Sequence, residues 1–159
     1  ENMSKRNFKE PQALNDVADF HDLFDMPVLD EPAIPSMDRC KLRLALLEEE
    51  LRELREGVET NDLREIADAL CDLQYVLSGA VLEFGLGNKF KSLFDEVQRS
   101  NMSKACNTYE EALATQAKYF SEKGTVSEIK NKGNQFLVYR KEDGKVLKSI
   151  AYNPADLKL

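Results

Sequence analysis

The chain has 159 residues, with 29 Asp and Glu against 22 Lys and Arg, a formal net charge of −7 and 42% hydrophobic residues. That length can bury a core within one compact domain, and the lack of a basic stripe to neutralise phosphates argues against a nucleic-acid polymer as partner. Its three cysteines, Cys40, Cys71 and Cys106, form no CxxC pair and no even framework, so they are expected to be reduced and mostly buried in a cytoplasmic protein.

Met3 reads as an initiator preceded by a two-residue remnant, Glu1 and Asn2, and no stretch reads as a secretory signal. Gln12 to Asp25 is predicted as a first helix, with Ala13, Val17, Phe20 and Phe24 at helical spacing and Pro27 beyond its end. It carries His21, the only histidine; Phe20, Phe24 and later Tyr75 read as core aromatics before base-stacking ones. A proline-punctuated loop through Pro32 and Pro35 leads to Ser36, the expected cap of a second helix that runs to about Glu56 and stops at Gly57. At about 100° per residue, Glu49, Glu50 and Glu53 share the side of Leu42 and Leu46. Leu44, Leu47, Leu51, Leu54 and Val58 form a separate stripe, expected to be core.

Asn61 or Asp62 opens a third helix running to about Phe84, with Gly85 and Gly87 past its end. Glu65, Asp68 and Asp72 share a face roughly opposite the stripe Leu63, Ile66, Leu70, Leu73, Leu77, Val81 and Phe84. The short link makes the two acidic helices an antiparallel hairpin, which brings their carboxylates within reach of shared ions. After Asp72 the segment LQYVLSGAVLEFGLG is apolar on nearly every side, so Asp72 is expected to be buried; Cys71 beside it is small enough for close helix approach. Asp72, Gln74 and Glu83 interrupt the run and argue against a membrane span. A buried ionised carboxylate must be paired or bind a metal, and only Arg39 and Arg43 lie near these faces. Oxygen-only ligands suit hard cations, Mg²⁺ first and Mn²⁺ next, whereas a di-iron bundle needs Glu-x-x-His pairs that are missing. Solvated amphipathic faces account for Glu48 and Glu56 but poorly for Asp68 and Asp72.

Lys89 to about Arg99 reads as another core helix carrying Phe90, Leu93, Phe94 and Val97. It ends in RSNMSK, where Arg99 and Lys104 suit polyphosphate oxygens and Asn101 suits a base or sugar; the alternative is a polar helix end capped by Asn101. Thr108 with Glu111 is a capping box for a helix ending near Gly124. VSEIK, QFLVYR and KVLKSI are strand-like, with Glu142, Asp143 and Gly144 turning between the last two. Lys141, Lys145 and Lys148 either approach phosphates or only solubilise the hairpin. The expectation is a mainly α protein, an antiparallel helical bundle in one domain over 3–159, with a small C-terminal β-hairpin in about 125–152.

The spacing ExxE (Glu50 to Glu53, preceded by Glu49) followed by ExxD (Glu65 to Asp68), together with FHDLFDMP, RSNMSKA and the tail DGKVLKSIAYNPADL, resembles the MazG-like all-α nucleoside triphosphate pyrophosphohydrolases. That superfamily includes dimeric dUTPases, dCTP pyrophosphatases and phosphoribosyl-ATP pyrophosphohydrolase, and the resemblance covers most of the chain. It implies Mg²⁺-dependent hydrolysis of a non-standard or deoxy nucleoside triphosphate to the monophosphate and pyrophosphate, a house-cleaning role. By resemblance Glu49, Glu50, Glu53, Glu65 and Asp68 hold metal, Asp72 is a ligand or its partner, and Glu49 or Glu50 orients the water. Asn101, Lys104 and Arg99 then meet the nucleotide, His21 supports the base pocket, and the chain forms a homodimer or a dimer of dimers. A degenerate, non-catalytic nucleotide sensor is the alternative.

Overall fold

The computed structural model describes residues 6–159, so Met3 lies outside it. The chain falls into two compact units divided after Phe90. The first contains α1 (Ala13–Leu23), α2 (Met37–Glu59) and α3 (Leu63–Glu83). Caps set their starts: the Ser36 hydroxyl accepts from the Arg39 N–H and the Asp62 carboxylate from the Glu65 N–H, each satisfying an amide that has no partner in the helix.

Gly57 does not stop α2, which continues to Glu59. A Cβ at Gly57 would lie 3.1 Å from Ile66 atoms, so the residue lets α2 and α3 close together at the tip of the hairpin. Asn61, at φ 54, then turns the chain. The far end of α3 is sealed by the preceding loop, whose Leu29 and Ala33 amides donate to the Leu82 and Phe84 carbonyls at 3.0 Å. α1 packs against α3, and Val17, Ala69, Val81 and Leu82 are buried in this unit.

The α2 stripe is only partly core. Leu47 and Leu54 are half-buried, whereas Leu44, Leu51 and Val58 are 58%, 50% and 60% exposed. Leu63, Leu70 and Leu77 of α3 are exposed in the same way. With one face of α3 open, Asp72 is half-buried rather than buried, and Cys71 is exposed instead of sitting at a helix contact. Cys40 is half-buried and Cys106 buried, all three being free thiols. Among the described residues no helix is long and apolar enough to cross a membrane.

In the second unit α4 (Phe90–Met102) leads to α5 (Tyr109–Lys123) and the strands β1 (Ser127–Lys132) and β2 (Gln135–Arg140). α4 extends past Arg99 and buries only Ser100, while Phe94 and Val97 are exposed, so it is not the core helix that its spacing predicts. Thr108 and Glu111 form the reciprocal capping box of α5, which ends at Gly124 as expected. β1 and β2 pair antiparallel from Ser127 with Arg140 to Lys132 with Gln135, closed by a two-residue turn at Gly133 and Asn134. KVLKSI is not a third strand. It meets β2 through a single bridge, Tyr139 with Val146, and through the Leu147 amide donating to Val138 at 2.8 Å. The expected turn at Glu142 to Gly144 does form, held by the Arg140 guanidinium on Asp143. Cys106, Ala112, Val138 and Leu147 make the core of this unit, with Tyr119, Ile129 and Phe136 against them.

Candidate functional site

One turn of α2 separates Glu50 from Glu53, and the antiparallel run of α3 brings Asp72 opposite them. One carboxylate oxygen from each lies within 4.8 Å of the other two, and all three side chains are half-buried. Three like charges at that spacing cannot all ionise cheaply. The Glu50 carboxyl is pushed up to about 7, first by its hydrogen bond with Glu53, then by burial, then by the charges of Asp72, Glu53 and Glu49. Asp72 is also raised, by burial first and by Asp68 and Glu53 next, while a hydrogen bond with Glu50 opposes the shift. Glu50 Oε2 is buried and meets no donor among the described residues.

Glu49 and Asp68 are exposed at the rim, acting on the cluster through their charge. Glu65 is exposed in the first turn of α3, where its amide serves the helix cap. The chain thus gathers Glu50, Glu53 and Asp72 tightly, keeps Glu49 and Asp68 beside them, and places Glu65 at a helix start. An all-oxygen donor set with strong mutual repulsion and an unsatisfied buried oxygen fits a hard divalent cation.

A pH dependence follows with a definite sign. Because the folded pKa of Glu50 lies above its ordinary 4.5, its protonated form stabilises the fold, an effect fully present below about pH 4.5 and lost as pH rises through about 7. In metal-free protein, thermal stability contributed by this group is expected to fall between those values, and Glu50→Gln should flatten that fall. Parallel slopes in the two proteins would reject the assignment. Binding of Mn²⁺ should strengthen with pH over the same window, up to about tenfold per unit, as the proton is displaced.

Arg39 and Arg43 do not neutralise the acids. They converge on Glu83, near the end of α3 and 1% exposed. The Arg39 guanidinium donates to both Glu83 oxygens, with Nη2 to Oε1 at 2.9 Å. Arg43, itself 5% exposed, sits 3.7 Å from Oε1 and donates to the Val76 carbonyl at 3.0 Å. Gly79 opens the slot for it, since a Cβ there would overlap the Arg43 guanidinium. Sequence reasoning passed over this buried trio. The available signal was an acid inside an apolar run with two unassigned arginines one turn apart.

His21 is 2% exposed, its Nδ1 is 2.9 Å from the Pro27 carbonyl, and it lines a cavity of about 350 Å³ with Phe20, Arg43 and Tyr75. Phe20 meets Tyr75 edge-on with ring centroids 5.6 Å apart and Phe24 at 4.6 Å. These rings are 36 to 57% exposed and do not fill the core; Phe20 and Tyr75 border the cavity.

In the second unit Arg99 is engaged with protein. It donates twice to Glu96 at 2.8 Å and to Asn153 Oδ1 at 3.2 Å. Ser103 Oγ accepts from the Asn153 amide at 3.0 Å, and the Asp156 amide donates to Glu96 at 2.8 Å. Much of RSNMSK is therefore a clasp for the tail YNPAD. Asn101 is exposed within α4 and is not its end cap. Lys104 is half-buried beyond the helix, and its carbonyl accepts from Ser149 at 3.0 Å. Lys141 and Lys145 are exposed, and Lys148 lies 4.7 Å over the Tyr152 ring.

A family model described as phosphoribosyl-ATP pyrophosphohydrolase matches residues 17–101, which take in most of α1, both acidic helices and most of α4. An uncharacterised protein of Acanthamoeba polyphaga mimivirus is 36% identical over 69 residues, covering 43% of this chain. The match spans 28% of that viral protein's length.

Proposed function

The chain belongs to the phosphoribosyl-ATP pyrophosphohydrolase family, within the MazG-like all-α superfamily, and from that membership we propose that it is a Mg²⁺-dependent hydrolase converting a nucleoside triphosphate to its monophosphate and pyrophosphate. Family membership supports hydrolysis of a nucleotide phosphoanhydride bond in general; the triphosphate substrate, the metal, a house-cleaning role and a cytoplasmic location are our reading. The observation that carries it is the convergence of Glu50, Glu53 and Asp72 on a shared point.

In this reading those three carboxylates hold the ion, with Asp68 adding a ligand or negative charge at the rim and Glu65 reached from the start of α3. Bound Mg²⁺ supplies charge neutralisation for the polyphosphate and activation of water. Without it the acidic face would repel a substrate carrying about four negative charges. Glu49, exposed beside the cluster, is free to orient the water or take its proton, and Glu50 becomes a ligand by giving up the proton it shares with Glu53. The cavity beside His21 receives part of the nucleotide.

Release of pyrophosphate from a panel of deoxynucleoside triphosphates with Mg²⁺ tests this directly. Turnover of at least one is expected; nucleotide binding without turnover would mean a sensor, and neither would sink the reading. A second test separates metal from nucleotide binding. Lys104→Ala and Asn101→Ala are expected to raise KM for the preferred nucleotide roughly tenfold, the loss of one charge-assisted contact, with Mn²⁺ affinity little changed by calorimetry. Unchanged kinetics would leave RSNMSK a structural clasp only.

A further inference from the structure

The chain leaves α4 in a tight turn. The amides of Ser103, Lys104 and Ala105 donate to the carbonyls three residues back, those of Ser100, Asn101 and Met102, at 3.1 to 3.3 Å. Residues three apart in such a 3₁₀ turn lie one above the other, so Ser100 and Ser103 share one side while Asn101 and Lys104 share another. The tail runs along the serine side. Ser103 Oγ donates to the Ser100 carbonyl at 2.6 Å and accepts from the Asn153 amide, and the Ser100 hydroxyl donates to the Tyr152 hydroxyl at 3.4 Å. Arg99 reaches the same stretch, at Asn153 Oδ1 and, at 3.3 Å, the Pro154 carbonyl. The tail is itself fixed to α5. The Ile150 amide donates at 3.1 Å to the hydroxyl of Thr115, which is fully buried, and the Lys148 amide to the Tyr119 hydroxyl at 3.2 Å. Residues 148–156 thus strap the end of α4 to α5 by polar contacts, where α4 itself buries only Ser100. The strap occupies Arg99, Ser100 and Ser103 and leaves the other two polar side chains alone: among the described residues no hydrogen bond or ion pair engages the Asn101 side-chain amide or the Lys104 ammonium.

We propose that Arg99, Ser103 and Asn153 are positioning residues for nucleotide binding, the strap fixing the backbone of this turn so that Asn101 and Lys104 are presented together with their side chains free. The inference rests on the reading above in which those two residues meet the nucleotide. A surface turn held neither by packing nor by a strap has to be ordered on binding, at an entropic cost to affinity. A turn already held makes both contacts without that cost. Because such contacts are made to the bound substrate and to the transition state alike, their loss falls on KM and not on kcat.

Steady-state kinetics of the full chain test it, with Mg²⁺ and the most rapidly hydrolysed of dATP, dCTP, dGTP, dTTP and dUTP. Ser103→Ala should raise KM about fivefold, the weight of one hydrogen bond, with kcat changed by less than about twofold. Ser103→Thr, which keeps the hydroxyl, should restore the parent KM. Asn153→Ala loses only the side-chain contact with Arg99 and should raise KM about threefold, which decides the matter if Ser103→Ala does not fold. In an Asn101→Ala, Lys104→Ala background, Ser103→Ala should leave KM unchanged, because nothing remains to be positioned. A lower melting temperature in Ser103→Ala and Asn153→Ala with KM unmoved, while Lys104→Ala raises it, overturns the inference and leaves the nucleotide reading of the turn standing. Lys104→Ala and Asn101→Ala without effect on KM, or no hydrolysis of any of these nucleotides, overturns both.

Discussion

Glu50→Gln is expected to lower Mg²⁺-dependent pyrophosphate release by roughly 10³-fold, the equivalent of several kcal/mol of charge stabilisation lost from the transition state, while making the metal-free protein more stable. The two effects have one cause. Glu50 is pushed up to about 7 because it shares a hydrogen bond with Glu53, is withdrawn from water and faces Asp72. The shift from 4.5 corresponds to at most about 3 kcal/mol, and screening by solvent reduces the expected gain at pH 8 to about 1–2 kcal/mol. Gln keeps the shape and can donate where the protonated acid donated. Asp68→Asn is expected to lose activity with a smaller stability gain, since Asp68 is exposed and acts on Asp72 through charge. Denaturant midpoints and a pyrophosphate assay check both. Near-normal Mg²⁺-dependent turnover in Glu50→Gln would remove the cluster from the chemistry.

The largest loss of stability is expected from Glu83→Ala. It would leave the buried Arg43 and the half-buried Arg39 without their carboxylate, and removing one member of a buried ion pair costs about 3–5 kcal/mol. For a chain of this size that is a fall in melting temperature of roughly 10 °C or more. Arg39→Ala should cost less, because Arg43 still faces Glu83 and the Arg39 side chain is 35% exposed. A Glu83→Ala protein melting within a degree or two of the parent would show that the trio contributes little.

Much of the fold is legible in local sequence. Ser36, Asp62 and the pair Thr108 and Glu111 announce helix starts because a cap acts on amides two or three residues away, and all three lie where a cap is expected. The acids at three-residue spacing on two helices joined by a short link place carboxylates face to face for the same local reason. Signals whose meaning depends on a neighbour mislead. Gly57 reads as a stop but serves the approach of Ile66, and the aliphatic stripes read as core although one row faces water. KVLKSI has strand composition, yet whether a segment becomes a strand depends on an available edge along its length, and here it gains a single bridge.

The sequence alone therefore determined the helices, the acidic hairpin and the family motif, since each rests on interactions within a turn or two of chain. Only the tertiary structure decided which acids share a point and which stand at the rim, and that Arg39 and Arg43 go to Glu83, 44 residues away from Arg39. It likewise decided that Arg99 holds the tail. Charges pair by distance in space, and low-dielectric burial determines which pairs must form; neither quantity is written in the spacing of residues along the chain.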